Sequence, residues 1–161
     1  MSRANRADWR LPATLGGLLG FVALAPVMAQ GANFEALVLS QNSSTASASG
    51  FTAGFFAISN IAPRDRHGHV CIGFADTNPD HMLTLEQDFS TLTVQVNSGG
   101  NDTTLLIQGP NDNTIRCGED TSRANPDARL ADDNWVAGTY RIWVGAHHQG
   151  QRYNYSINVA P

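Results

Sequence analysis

Apolar and polar residues alternate one by one over several stretches of this chain. Leu105 and Ile107 alternate with Thr104, Leu106 and Gln108, and Leu92-Thr-Val-Gln-Val96 alternates in the same way. In Gly138-Thr-Tyr-Arg-Ile-Trp-Val-Gly145, Tyr140, Ile142 and Val144 share one face and Thr139, Arg141 and Trp143 the other; Tyr153 to Val159 repeats the pattern. A period of two is that of a half-buried strand. Shorter runs at 34–39, 55–58, 69–74, 81–86 and 114–117 bring the expected number of strands to about nine. Gly109-Pro110, Asn78-Pro79-Asp80 and Ala62 to Gly68 read as turns. Two segments show no apolar period. Ser40 to Gly50 is expected to be a flexible loop, and Gly118 to Asn134 a long loop of concentrated negative charge. Short strands without helical connections predict an all-β fold, an antiparallel β-sandwich with a jelly-roll-like arrangement.

The order of parts from Asp102 onward adds a family. An Asp opens an apolar strand, Gly109-Pro110 is followed by Asp112, a polar acidic stretch comes next, and Ala137-Gly-Thr-Tyr140 leads into a strand ending in Val144-Gly145. With the aromatic strand Tyr153 to Val159, this set resembles the bacterial pre-peptidase C-terminal (PPC) domain over roughly residues 84–159. The resemblance implies a small jelly-roll-like sandwich that accompanies secreted proteases and serves secretion, solubility or attachment. Thr103 and Thr104 stand where that family often has a second Asp, a departure at the metal site the family would imply.

The N-terminal segment changes the domain count. Arg3, Arg6 and Arg10 precede an uncharged apolar stretch from Leu11 to Val27, and Val27-Met28-Ala29 has the small residues of a cleavage site. Residues 1–29 therefore read as a signal peptide, with an uncleaved anchor as the alternative. Residues 30–161 form one domain, long enough to bury a core. They carry seven Arg, no Lys and thirteen acidic residues, a formal charge of −6. Such a surface makes nucleic acid and anionic membranes poor partners and cations plausible ones. The expected location is periplasmic or secreted.

Candidate chemistry is sparse. Cys71 and Cys117 are the chain's two cysteines. In an oxidising compartment they are expected to pair, with two buried thiols as the alternative. Asp102, Asp112, Glu119, Asp120, Asp132 and Asp133 lie near expected strand ends, where carboxylates and turn carbonyls could coordinate calcium; the competing reading is a solvated acidic surface. His67-Gly-His69-Val-Cys71 has metal-ligand residue types at alternate positions, but a disulfide at Cys71 would remove its thiolate. Trp135 and Trp143 are candidate ligand-binding rings, with core packing as the alternative.

No HExxH, GxSxG or Gly-Asp-Ser-Gly motif is present. The sequence thus points to an exported non-catalytic binding or accessory module, with calcium as its possible cofactor and an extracellular protein or polysaccharide as partner. The alternatives are a carbohydrate-binding module using exposed Trp and Tyr, and a small secreted hydrolase.

Overall fold

The structure is a computed structural model that describes residues 31–43, 45–112 and 114–161. The signal peptide expected over residues 1–29 lies outside the described residues. Strands β1 (Leu37–Leu39), β2 (Ala46–Phe51), β3 (Phe56–Ala57), β4 (Phe74–Ala75), β5 (His81–Leu85) and β6 (Phe89–Asn97) are followed by β7 (Thr103–Gln108), β8 (Ile115–Ser122), β9 (Asn125–Trp135), β10 (Gly138–Ala146) and β11 (Asn154–Ala160). The fold is all-β, as expected.

The principal strands form one path, β1-β5-β10-β7-β8-β9-β6-β11-β2. It folds into two layers because β8 changes sheets. Its first half pairs with β7 from Leu105↔Gly118 to Gln108↔Ile115, and its second half pairs with β9 at Glu119↔Arg129 and Asp120↔Ala128. Pairing is antiparallel except between β1 and β5, which run parallel from Leu37↔Leu83 to Leu39↔Leu85. The two ends of the path, β1 and β2, are joined by a short connection and pack against each other, so the sandwich nearly closes.

The alternation seen in the sequence builds the main core. Leu83 and Leu85, Leu92, Val94 and Val96, Leu105 and Ile107, Tyr140, Ile142 and Val144, and Tyr155, Ile157 and Val159 all point between the layers. The stretch expected to be an acidic loop, residues 118–134, instead forms most of a two-stranded ribbon of β8 and β9. Residues 46–50, expected to be loop, lie in β2; their inner face is small because Tyr155 and Phe34 occupy the space. A Cβ on Gly50 would stand 2.5 Å from the Tyr155 hydroxyl.

A second, smaller core lies outside the sandwich. Residues 56–75, here called the arch, run from β3 through a 3₁₀ turn at Ile58–Asn60 and a loop to β4, which pairs with the end of β10 at Ala146↔Phe74. Ile58, Ala62, Cys71 and Ala75 cover Leu106 and Trp143 on the outer face of β7 and β10. The expected strand at 69–74 is therefore mostly loop, with an isolated bridge between Arg64 and Val70 before β4. The arch is tied to β8 by a disulfide between Cys71 and Cys117, whose Cα atoms are 5.5 Å apart.

Candidate functional site

The arch and the β8–β9 ribbon enclose the most elaborated polar surface of the described residues. Where β8 leaves β7 for β9, a groove of about 380 Å³ opens, with Asp65, His67, His69 and Val70 on the arch side and Glu119, Arg129 and Asp132 among those on the ribbon side. Its geometry follows from local sequence. Gly68 sits at the arch tip with φ +87°, a left-handed conformation that glycine adopts without steric penalty, so the chain can reverse between His67 and His69. Gly118 allows close approach of the two strands, since a Cβ there would lie 2.7 Å from the Arg129 carbonyl oxygen.

Two carboxylates of the groove, Asp65 and Asp132, are fixed by hydrogen bonds. The Asp65 side chain is 3% exposed and accepts the His67 and His69 backbone N–H groups, each at 2.9 Å, and His69 Nδ1 at 3.1 Å. Burial pushes the Asp65 carboxyl up, but these donors and the His69 charge outweigh it and hold the group below the usual carboxylate range. Asp132 accepts His67 Nε2 at 2.9 Å, Arg66 Nη1 at 3.3 Å and Arg116 Nε at 2.6 Å. Here too burial raises the carboxyl, and the bonds from His67, the Asp133 backbone and Arg116 lower it further than burial lifts it.

Arg116 is the innermost member. It is 1% exposed, its guanidinium lies 4.0 Å from the centre of the Trp135 ring, and Nη2 donates to the carbonyls of Asp133 and Asn134, both at 3.1 Å. Arg66 Nη1 donates to the Asp133 carbonyl at 2.9 Å and its Nη2 to Asp133 Oδ1 at 3.2 Å. An arginine on the core side of a strand gave no apolar signal in the sequence. The signal that could have found it is the pairing of Arg116 and Arg66 with the adjacent Asp132 and Asp133.

The six acidic candidates occupy three places. Asp112 ends the turn after β7 and pairs with Arg141. Asp132 and Asp133 belong to the arginine cluster. Asp102, Glu119 and Asp120 lie towards the other end of β7, where His147 Nδ1 is 3.9 Å from Asp102 Oδ1. Burial raises the Glu119 carboxyl, His147 lowers it, and the charges of Asp120 and Asp102 raise it further. As one set they do not fit a single calcium ion, and among the described residues no group of three or more His, Cys, Asp or Glu is arranged to hold a metal. The His67–His69–Cys71 grouping has no thiolate to offer a metal, because Cys71 is in the disulfide.

The two tryptophans expected as ligand-binding rings are both buried. Trp135 is 1% exposed, and its indole N–H donates to the Asp132 carbonyl at 3.0 Å. Trp143 points outward from the sandwich, yet the arch covers it to 4% exposure. Neither ring presents a face to solvent.

A second buried polar group lies beneath residues 33–35. Asp80 Oδ2 accepts the Val144 N–H at 2.7 Å, supplying a partner just beyond the last β5–β10 pair, Ile142↔His81. The neighbouring His81 donates from Nδ1 to the Glu35 carbonyl at 2.7 Å and accepts the Tyr155 hydroxyl at Nε2, 2.9 Å away. Burial keeps the imidazole below its ordinary pKa.

No family model matches the chain, and no curated protein matches it. Among solved structures it is similar to PliG of Aeromonas hydrophila, a periplasmic inhibitor of g-type lysozyme, at 11% identity and a TM-score of 0.40, over 78% of this chain and 96% of that one. It is also similar to CorA, a surface-associated copper-binding protein of Methylomicrobium album BG8, at 8% identity and a TM-score of 0.41, over 80% of this chain and 98% of that one.

Proposed function

We propose that this chain is an exported, non-catalytic binding module, of the kind its PPC resemblance implies, and that it takes a protein partner in the arch groove. The observation that carries this reading is the construction of the groove, one wall of which is tied down by a disulfide while Asp65 and Asp132 are oriented by backbone donors and by a buried arginine. A surface held in this way loses little conformational freedom on binding, which favours recognition by a rigid face. Carboxylates fixed by arginine and backbone donors also stay ionised, which suits recognition better than proton transfer. The carbohydrate reading has lost its platform, since Trp135 and Trp143 are buried.

Calcium keeps a test although, among the described residues, no three of the acids are arranged to hold it, because Asp102, Glu119 and Asp120 concentrate negative charge at one end of β7. A rise in melting midpoint with calcium, reversed by a chelator and absent in Asp120→Ala, supports it; an unchanged midpoint returns these groups to a solvated surface.

The groove itself is tested by cross-linking in culture, comparing the native chain with a variant carrying His69→Ala, Glu119→Arg and Arg129→Glu. A cross-linked partner that the variant loses supports the proposal. Identical products from both chains, or retention of both inside the cell, overturn it.

A further inference from the structure

Away from the groove, a smaller pocket of about 240 Å³ is lined by Asn33, Phe34, Phe51, Ala53, Asp76 and Asp80. Asp80 is 4% exposed, so its carboxylate is almost wholly withdrawn from water. Its hydrogen bonds come from neutral donors, the Val144 N–H and Asn33 Nδ2 at 3.3 Å. Among the described residues no arginine or histidine forms an ion pair with Asp80 or Asp76. A buried carboxylate without a countercharge is costly, and a cation beside it recovers much of that cost.

The other walls suit the same ligand. Phe34 and Phe51 meet edge to face with centroids 4.9 Å apart. Phe51 already attracts a cation: the Arg152 guanidinium lies 3.3 Å from its ring centre. Aromatic rings beside two carboxylates, on a domain of formal charge −6, favour a compact organic cation over an anion or a neutral group.

We propose that the pocket between Phe34, Phe51, Asp76 and Asp80 receives the ammonium or guanidinium group of a lysine or arginine side chain on a partner protein. This rests on the reading of the chain as a binding module, and it adds a second contact whose test does not use the groove. The ionisation of Asp80 supports it. Burial raises this carboxyl to about 7; the Val144 and Asn33 bonds oppose the rise and the Asp76 charge adds to it. The other groups facing it are His81, whose pKa burial lowers, and the Tyr155 hydroxyl, raised by burial and by Asp80 itself. The Glu35 charge acts on His81, and Arg152 stays over Phe51. Capture of a cation is therefore strong above neutrality and weakens as Asp80 takes up a proton.

The test is a titration of the purified protein, followed by the aromatic resonances of Phe34 and Phe51. Probes are acetyl-arginine amide, acetyl-lysine amide, the neutral acetyl-citrulline amide, and free arginine and lysine. At about pH 8 the two cationic amides are expected to saturate with dissociation constants on the order of 1 mM, weakening at least about tenfold by about pH 5.5. Asp80→Asn and Asp76→Asn are expected to lose this response, and Asp112→Asn to retain it. Asp76→Asn, at the more exposed carboxylate, keeps the test decisive if Asp80→Asn does not fold. The proposal is overturned by no saturation at about pH 8, by equal response to the citrulline amide, by equal binding in both pocket variants, or by binding of free amino acids alone. Failure here leaves the groove untouched, whereas loss of cross-linking in the groove variant leaves this titration unchanged.

Discussion

Arg116 and Asp132 hold each other at the end of the sandwich, with Arg116 Nε 2.6 Å from Asp132 Oδ2 and their side chains 1% and 7% exposed. Removing one member leaves a buried guanidinium without its countercharge. Asp132→Ala is expected to destabilise the fold by roughly 3–5 kcal/mol in urea unfolding, and Arg116→Met with Asp132→Leu by less, because apolar replacement of both buried partners leaves no buried charge orphaned and the more exposed Arg66 keeps Asp133. A cost for Asp132→Ala within the range of an exposed pair, about 1 kcal/mol or below, would show that solvent reaches the arginine.

The same cluster sets the acid limb of stability. Asp132 and Asp65 have carboxyls below the usual range when folded, so the unfolded chain binds protons first as the pH falls. Their contribution is complete above the ordinary carboxylate pKa and is lost as the pH descends through their lower folded values. The melting midpoint is expected to fall below about pH 4, and less steeply in Asp132→Asn and Asp65→Asn, each measured against its own midpoint at about pH 6. Slopes identical to the native chain in both variants would remove these groups from the acid transition.

Much of the fold was legible because the core strands obey a simple period. Leu92 to Val96, Tyr140 to Val144 and Tyr155 to Val159 place large apolar residues on every inward position, and nothing else competes for those sites. Beyond the expected strand at 114–117, the β8–β9 ribbon was hidden because Gly118 and Asp132 take positions where a core strand would carry Leu or Val. β2 was hidden by its small inner residues Ala46, Ala48 and Gly50. Trp143 could be assigned to the outer face by alternation, but its burial depends on the arch, a segment far away in sequence. For the site, the cysteine pairing was legible from compartment and count. The convergence of Arg66, His67 and Arg116 on Asp132 was not, since it is made by a loop crossing between layers.

Opening the Cys71–Cys117 bond frees the arch from β8. The sequence separation is 46 residues, for which the chain-entropy relation gives on the order of 4 kcal/mol. Cys71→Ser with Cys117→Ser is expected to lower the melting midpoint and to expose Trp143 to a neutral fluorescence quencher, while Trp135, held in the main core, stays protected. Comparison with Trp143→Phe assigns the quenched signal. Unchanged quenching in the double variant would mean that the packing of Ile58 and Ala62, the β4–β10 pairing and the Arg66 bonds retain the arch without the disulfide.

Gly145 tests that packing without touching the bond. A Cβ there would stand 2.7 Å from the Phe74 carbonyl oxygen, 2.7 Å from Thr104 Oγ1 and 2.8 Å from Ile58 Cδ1. Two of these contacts belong to the arch, so Gly145→Ala is expected to lift it and to cost roughly 1–3 kcal/mol, the range for overpacking. Retention of native stability and of Trp143 protection would show that the arch yields without loss.

Asp80 should destabilise the free protein in a window where most carboxylates do not. Its pKa is about 7 in the fold against an ordinary 3.8, so between these values the folded state binds the proton and the unfolded state does not. Stability from this group is therefore greatest below the unfolded value and declines as the pH rises towards the folded one, by as much as roughly 4 kcal/mol in total. His81 acts in the opposite sense: its lowered pKa makes the unfolded chain take up a proton first below the ordinary imidazole range. The difference between the native chain and Asp80→Asn removes the His81 contribution. That difference is expected to favour the variant at about pH 8 and to shrink steadily towards about pH 5, because an amide oxygen still accepts the Val144 N–H and carries no charge. Urea unfolding at a series of pH values measures it. Parallel curves for the two chains across that window would mean that the carboxylate is hydrated in the folded state, leaving no buried charge for a partner's cation to neutralise.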